Sequence, residues 1–561
     1  MRYLAVITLC LAMALGSALA RESSEPIPII IMHTNDVHGG IDKSEATFMD
    51  QEFPPALGGG AALAGLVKRV RQKAEDEDKG FLLFDVGDIW QGTPVGNYRK
   101  GEIVIEYMNM LGYDAWAPGN HEFDAGLENA FHIMDMAKFP VLAANLVSSE
   151  TGEVPPPIKP YIIKEVKGIK IGIIGLITEE TPLYALPEDV QEIQFLDVKT
   201  ITQKYIAELK DRVDLIMVIA HLGVPWGVDE AYKEMIETGA EKKIKYGMNA
   251  MELAHSVPGI DVLIGGHIHV GYEKGWIDPL NHTICLQTYG RGSGVGIYEI
   301  EVDPGTKKIV GFDWAESDGA IVTLFEDEFW PDDDVGTFIQ EWVDSAEVGM
   351  DEPIGRALID ITRVGVGESP LGDMVTDAMR EAVDADVAFT NLGGIRANIG
   401  MGIITPRDVF QVVPFENKLV YFEMTGSFLK HVIEWRVKGM RQGAYVSGVK
   451  IAYSRKRPDF DRVVEFTVGG EPWDPDRIYR VVTTDFIAEG NVGLQILTEV
   501  DKAYVTNTDV TVKQAMIDYI KKHSPLEPRI EGRFVRDDDR EMSPALAEAL
   551  TRYKPLEELS H

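Results

Sequence analysis

The chain has 561 residues, with 54 Lys+Arg against 90 Asp+Glu and a formal net charge of −36. A surface this acidic repels phosphate backbones, which disfavours nucleic-acid polymers, and none is expected as a partner. With 45% hydrophobic and 26% charged residues it is a globular chain rather than a disordered acidic one, and its length suggests about two to four domains.

Residues 1–20, MRYLAVITLCLAMALGSALA, join a basic head at Arg2 to an apolar run and a small-residue cleavage site at Ala18-Leu19-Ala20. This is the pattern of a secretory signal peptide, and its apolar run is shorter than the ~20 residues needed to span a bilayer. It predicts an exported protein, periplasmic or extracellular, with no membrane anchor in the mature chain. Cys10 leaves with the signal, so Cys285 is the remaining thiol and no intramolecular disulfide can form. Asn281-His282-Thr283 fits a glycosylation acceptor, a pattern that also arises often by chance.

From Pro28 to about Asp303, short β-branched runs alternate with longer amphipathic ones: PIIIMHTND, FLLFDVGD, DAWAPGNHEFD, IGIIGLIT, DLIMVIAHLG and IDVLIGGHIH. Several are apolar throughout, as strands covered on both faces are, which predicts an α/β fold. Most stop at clusters of Asp, Asn and His, and the carboxyl ends of strands are where open α/β folds place ligands. Pro331 to Gly355 begins acidic and continues with Phe338, Ile339, Trp342 and Val343 at helical spacing, predicting a linker helix within 326–352. Residues 353–536 have apolar runs of their own, ADVAFTN, KLVYFEMT and RVVTTDFI, and read as a separate second unit. Residues 537–561 read as a polar tail.

The strand-end clusters of the first unit are Asp36 and His38 in HTNDVHG, Asp88 in GDIWQG, Asn120 and His121 in GNHEFD, His221 in AHLG, and His267 and His269 in GGHIH. Together they offer only oxygen and nitrogen ligands, which suit divalent Zn, Mn, Fe or Co. Two ions about 3.5–4 Å apart need a shared carboxylate, and Asp88, solitary at a Gly-flanked strand end, can bridge them. Asp36, His38 and His269 would complete one site; Asn120, His221 and His267 would complete the other. Alternate residues of a strand point in opposite directions, so the D-x-H and H-x-H pairs converge only on loops beyond the strands. Gly39-Gly40 and Gly265-Gly266 permit such loops.

In this order the motifs resemble the calcineurin-like metallophosphoesterases, specifically the secreted 5'-nucleotidase branch, and NLGGIR and PFEN of the second unit resemble it too. The likeness covers roughly residues 28–535. It implies a four-layer α/β/β/α metallophosphoesterase sandwich over 28–325 and a smaller α/β substrate-binding domain over 353–536. It implies two divalent ions bridged by Asp88, and hydrolysis of nucleoside 5'-monophosphates to nucleoside and phosphate by in-line attack of a metal-bridging hydroxide. His121 would stabilise the transition state or protonate the leaving oxygen, oriented by Asp124. Asn391, Gly393, Gly394 and Arg396 would grip the substrate, and Phe415 and Phe486 match the two rings that sandwich a nucleobase.

Two positions depart from that family's pattern. Val492 stands where an Asp grips the ribose hydroxyls, with only neighbouring Asn491 to substitute, and Gly365 stands where an Arg is usual, with Arg363 two positions away. They keep open a 2',3'-cyclic nucleotide phosphodiesterase, a UDP-sugar hydrolase, a sulfur-substrate hydrolase or a broad phosphomonoesterase on the same scaffold. A non-catalytic surface protein is opposed by the complete set of candidate ligands. Two units joined through a helix are also expected to hinge.

Overall fold

The structure is a computed structural model; it describes residues 25–46, 49–50, 53–185, 187–225, 227–238, 247–315, 319–364, 367–438 and 443–555. The signal peptide expected at 1–20 and the departure at Gly365 lie outside them.

Two six-stranded sheets stack face to face in the first unit. One runs Ile309–Trp314, Gly294–Val302, Ile27–Thr34, Gly80–Asp85, Ala115–Trp116, with Ile321–Thr323 also on Gly294–Val302. The other runs Trp276–Ile277, Ile284–Leu286, Val262–Ile264, Leu215–His221, Ile169–Ile177, Tyr161–Val166. The side-chain period of two explains why the strands read as apolar throughout. On Ile27–Thr34, Ile29 and Ile31 face the other sheet and pack with Ile171, Met217 and Ile264. Ile30 and Met32 face outward, under Leu63, Leu66, Val67 and Val70 of the helix Gly59–Asp76. On the far side, Ile174, Val218 and Leu263 pack beneath the helices Val198–Leu209 and Ala250–Ser256. The result is helix, sheet, sheet, helix, the expected sandwich.

The helix expected in the connector spans Asp333–Ala346, and the side chain of Asp332 caps it by accepting from the Val335 N–H at 3.0 Å. It is seated on the first unit: Val335 and Ile339 are buried in the same core as the helix Gly59–Asp76, with Phe338 and Trp342 packed against it.

The second unit is built on a five-stranded sheet in the order Tyr445–Ser447, Val387–Thr390, Ile478–Thr484, Lys418–Thr425, Val505–Thr511. Helices Pro370–Ala382 and Val512–His523 cover one face. The other face meets the helix Gly426–Val437 and a four-stranded sheet that includes Val449–Tyr453 and Val463–Val468. The region read as a polar tail differs from that reading. Its helix Pro544–Ala549 buries Leu546 and Ala549 in this second core, and the Tyr553 hydroxyl lies 2.8 Å from His431 Nε2. One apolar stripe on a short helix is enough to dock it, and composition averages such a stripe away.

Cys285 is buried with no partner cysteine among the described residues, and burial pushes its thiol pKa up. The Asn281 amide donates to the carbonyls of Ala254 and His255, each at 2.9 Å, ending the helix Ala250–Ser256. That use of the side chain argues against its glycosylation. No described helix is long and apolar enough to cross a membrane.

Candidate metal centre

All the candidate ligands sit at or just beyond the carboxyl ends of strands of the two stacked sheets. Asp36 and His38 follow Ile27–Thr34, Asp88 follows Gly80–Asp85, and Asn120 and His121 follow Ala115–Trp116. His221 ends Leu215–His221, and His267 and His269 follow Val262–Ile264. The first two loops are zipped together by backbone bonds, Asp36 N–H to Gly87 O and His38 N–H to Asp88 O, both 2.9 Å.

Five of these residues have left-handed backbone: Asp36 (φ 52°), His38 (49°), Asp88 (57°), His267 (75°) and His269 (54°). Each non-glycine residue there costs roughly 1–2 kcal/mol, and such strain concentrates at functional sites. The left-handed turn also resolves the alternation problem, because it lets residues two apart face one place. Asp36, His38 and His269 come together as one group whose donor atoms could hold an ion; Asp88, His221 and His267 form another; His38, Asp88 and His121 form a third. Asp88 Oδ2 faces both histidine groups, 3.1 Å from His221 Nε2 and 3.9 Å from His38 Nε2. His38 Nε2 and His269 Nε2 are 3.0 Å apart, and His267 Nδ1 is 3.2 Å from His221 Nε2. Gly119 is required beside them, since a Cβ there would lie 2.3 Å from Asp88 Oδ1.

The donors fit a metal. His38 Nδ1 donates to the Gln91 carbonyl and His221 Nδ1 to the Val86 carbonyl, each at 2.6 Å, which turns both Nε2 atoms inward. Asn120 Oδ1 is buried with no hydrogen-bond partner among the described residues, as a side-chain carbonyl reserved for an ion would be. Burial, reinforced by neighbouring His221 for the former and Arg396 for the latter, lowers the pKa of His267 and His269 to about 3. Both are therefore neutral, the form that ligates. Burial alone would raise Asp88, but His221 and His121 hold its carboxyl well below the usual range.

His121 and Asp124 form the expected pair, with Nδ1 2.6 Å from Asp124 Oδ2. Burial alone would lower the His121 pKa, but Asp124 and Asp88 outweigh it and lift it to about 9. The second unit reaches this face directly. The Phe415 ring stacks on His121 with centroids 5.8 Å apart, the Arg396 guanidinium lies 5.5 Å from the Phe415 centroid, and Asn97 Nδ2 donates 3.3 Å to Pro414 O. Asn391, Gly393 and Gly394 form the turn before Arg396, which also donates to Gly393 O at 3.4 Å. Phe486 lies on the short helix Asp485–Ala488, packed against the second core, and no contact between the Phe415 and Phe486 rings is present among the described residues. Asn491 cannot replace a hydroxyl-gripping carboxylate: it is buried, and its Nδ2 donates 2.9 Å to Phe486 O.

Sequence reasoning missed two residues. Glu122, inside GNHEFD, is fully buried and receives three backbone N–H groups around the centre. Arg291, in YGRGSG, donates its N–H to Asp36 O at 2.6 Å. The only sequence signals were a charged residue between two strong motif positions and an arginine between glycines.

A cluster of imidazoles, carboxylates and one amide at the strand ends of an α/β/β/α sandwich defines a hydrolase of phosphoric esters. Residues 29–271 match the calcineurin-like phosphoesterase family, and residues 350–499 match the 5'-nucleotidase C-terminal domain. The chain belongs to the calcineurin-like phosphoesterases that carry a 5'-nucleotidase C-terminal domain, and membership implies divalent metal ions. It is 29% identical to a 5'-nucleotidase of Vibrio parahaemolyticus, covering 93% of this chain and 96% of that protein. It is likewise 29% identical to protein UshA of Escherichia coli, covering 92% and 94%. The crystal structure of a 5'-nucleotidase precursor from Thermus thermophilus superposes with a TM-score of 0.77 at 28% identity, covering 92% of this chain and all of that one.

Proposed function

We propose that this protein is an exported dinuclear phosphoesterase that hydrolyses nucleoside 5'-monophosphates. The observation that carries the reading is Asp88, one carboxylate facing His38 on one side and His221 on the other. Asp36, His38 and His269 would hold one ion, Asn120, His221 and His267 the second, and Asp88 both. When bound, such a pair polarises the phosphoryl oxygens and supplies a water-derived nucleophile at neutral pH. The chain's own residues do the rest. His121, held by Asp124, donates a proton to the leaving oxygen. Arg396 holds the phosphate through its paired N–H groups, and Phe415 and Phe486 take the part of the substrate that does not react. The pattern at Met1–Ala20 supports export.

Inward-turned Asn491 and apolar Val492 favour a broader phosphomonoesterase as the second reading, since a site lacking a hydroxyl-binding group discriminates weakly. Phosphate release by Mn- and Zn-loaded protein from AMP, dAMP, UDP-glucose, 2',3'-cyclic AMP and phenyl phosphate tests both, with Asp88→Asn as control. Preference for AMP supports the nucleotidase, equal rates on all monoesters the broader enzyme, and a preference for the diester would replace both.

A further inference from the structure

The Gln91–Gly92 peptide is held from both sides. Its carbonyl oxygen accepts from His38 Nδ1 at 2.6 Å, and its N–H donates 3.0 Å to Asn97 Oδ1. A trans peptide is planar, with its N–H and C=O on opposite edges, so holding one fixes the direction of the other. The peptide also lies tight against His38, since a Cβ on Gly92 would be 2.8 Å from His38 Cβ. Asn97 makes a second bond: its Nδ2 donates 3.3 Å to Pro414 O, on the second unit. Pro414 immediately precedes Phe415, whose ring stacks on His121. The Pro414 carbonyl is fixed on its own side by Lys513 Nζ at 3.2 Å, and Lys513 in turn pairs with Glu416. The Asn97 amide thus stands between a candidate metal ligand of one unit and the Phe415 loop of the other. Its oxygen accepts and its nitrogen donates, so one orientation of the amide satisfies both bonds.

We propose that Asn97 is a positioning residue that couples the two units: it makes the aim of His38 Nε2 depend on the seating of the Phe415 loop. Four groups are hydrogen-bonded in series, Pro414 O, the Asn97 amide, the Gln91–Gly92 peptide and His38 Nδ1. Bonds in series polarise one another, and a partner on Nδ1 both orients a ligating imidazole and raises its basicity. With the second unit docked, the Asn97 amide is pinned at both ends, and the peptide holds His38 in its group with Asp36 and His269. With that unit swung away, the amide keeps one bond and is free to turn. Linkage is reciprocal, so an ion at His38 draws the Phe415 loop onto the first unit by the same factor. The proposal rests on the metal reading above and extends it to a residue outside the candidate ligands and the substrate groups.

The test uses the full chain stripped of metal and titrated with Zn alone, with the variants Asn97→Ala and Asn97→Asp. Asn97→Ala removes both bonds. Asn97→Asp keeps an oxygen for the Gly92 N–H but turns a second oxygen, rather than a donor, towards the Pro414 carbonyl. In the wild type, Zn is expected to slow proteolytic cutting between residues 347 and 354 several-fold. Asn97→Ala binds one of the two ions about tenfold more weakly and gains no protection from Zn. Asn97→Asp recovers most of the affinity yet gains no protection either, a split that a general loss of packing would not give. Equal Zn affinity in wild type and Asn97→Ala overturns the relay, and so does equal Zn protection of wild type and Asn97→Asp. A wild type that takes up no Zn removes the metal reading itself, and the proposal with it.

Discussion

Glu122 holds Asp88 by the backbone rather than by the side chain: its carboxylate accepts the N–H of Asp88 at 3.0 Å and of Ile89 at 2.8 Å, and it also accepts the N–H of Gly119. It thus ties the Asp88 loop to the Asn120–His121 loop. Asp88 Oδ1 returns the tie by accepting the His121 N–H at 2.8 Å. Glu122→Gln keeps the shape but replaces one acceptor oxygen with a donor facing an N–H. It is expected to lower metal content and activity about 10–100-fold, the scale for residues that orient metal ligands, with circular dichroism unchanged. Metal analysis of the purified variant checks this, and wild-type metal content with wild-type activity would sink it.

Asp373 gives the second unit a pH dependence of its own. It is 2% exposed, with Arg533 Nε 3.7 Å from its Oδ2. Burial raises its pKa to about 8, with Arg533 opposing and Glu368 adding to the rise. The folded chain therefore keeps this proton up to about pH 8, while the unfolded chain releases it near the ordinary 3.8. The stability from this group is complete below the unfolded value and is lost as pH climbs through the folded one. Asp373→Asn removes that loss, so its melting temperature relative to wild type should climb between about pH 5 and pH 8.5. A constant difference across that range would show that Asp373 is not the source.

Val492 is a β-branched residue in left-handed backbone (φ 52°), held by Arg436 Nη1, which donates 2.8 Å to its carbonyl. Val492→Asp places a residue more tolerant of that conformation at the same point and supplies two acceptors. It should leave folding intact and raise the preference for AMP over dAMP by about tenfold or more. Steady-state kinetics on the two nucleotides decides, and an unchanged ratio would mean that the ribose does not reach this loop.

Arg407 fastens the connector to the second unit. Its Nη2 lies 2.7 Å from Glu347 Oε2, its Nε lies 2.8 Å from Asp351 Oδ1, and its N–H donates 3.0 Å to Met350 O. Because the helix Asp333–Ala346 is packed on the first unit, any hinge must lie in the short segment that follows it. Arg407→Ala should speed proteolytic cutting between residues 347 and 354 several-fold and broaden the X-ray scattering profile. Equal cutting rates in the two proteins would place the flexible point elsewhere.

The sequence by itself determined the fold class and the candidate ligands at the strand ends. Runs apolar at every position make strands that must be covered on both faces, and runs that end in Asp, Asn and His carry those side chains to the strand ends. The ordered spacing of Asp36, His38, Asp88, Asn120, His221, His267 and His269 was thus legible before any coordinates. The tertiary structure decided the left-handed turns, the three amides that Glu122 receives, the inward turn of Asn491, the docking of the tail helix, and the stacking of Phe415 of the second unit on His121. These depend on backbone dihedral angles and on contacts between segments far apart in the chain. A local pattern fixes which chemical groups are available, whereas their direction is set only when distant loops pack together.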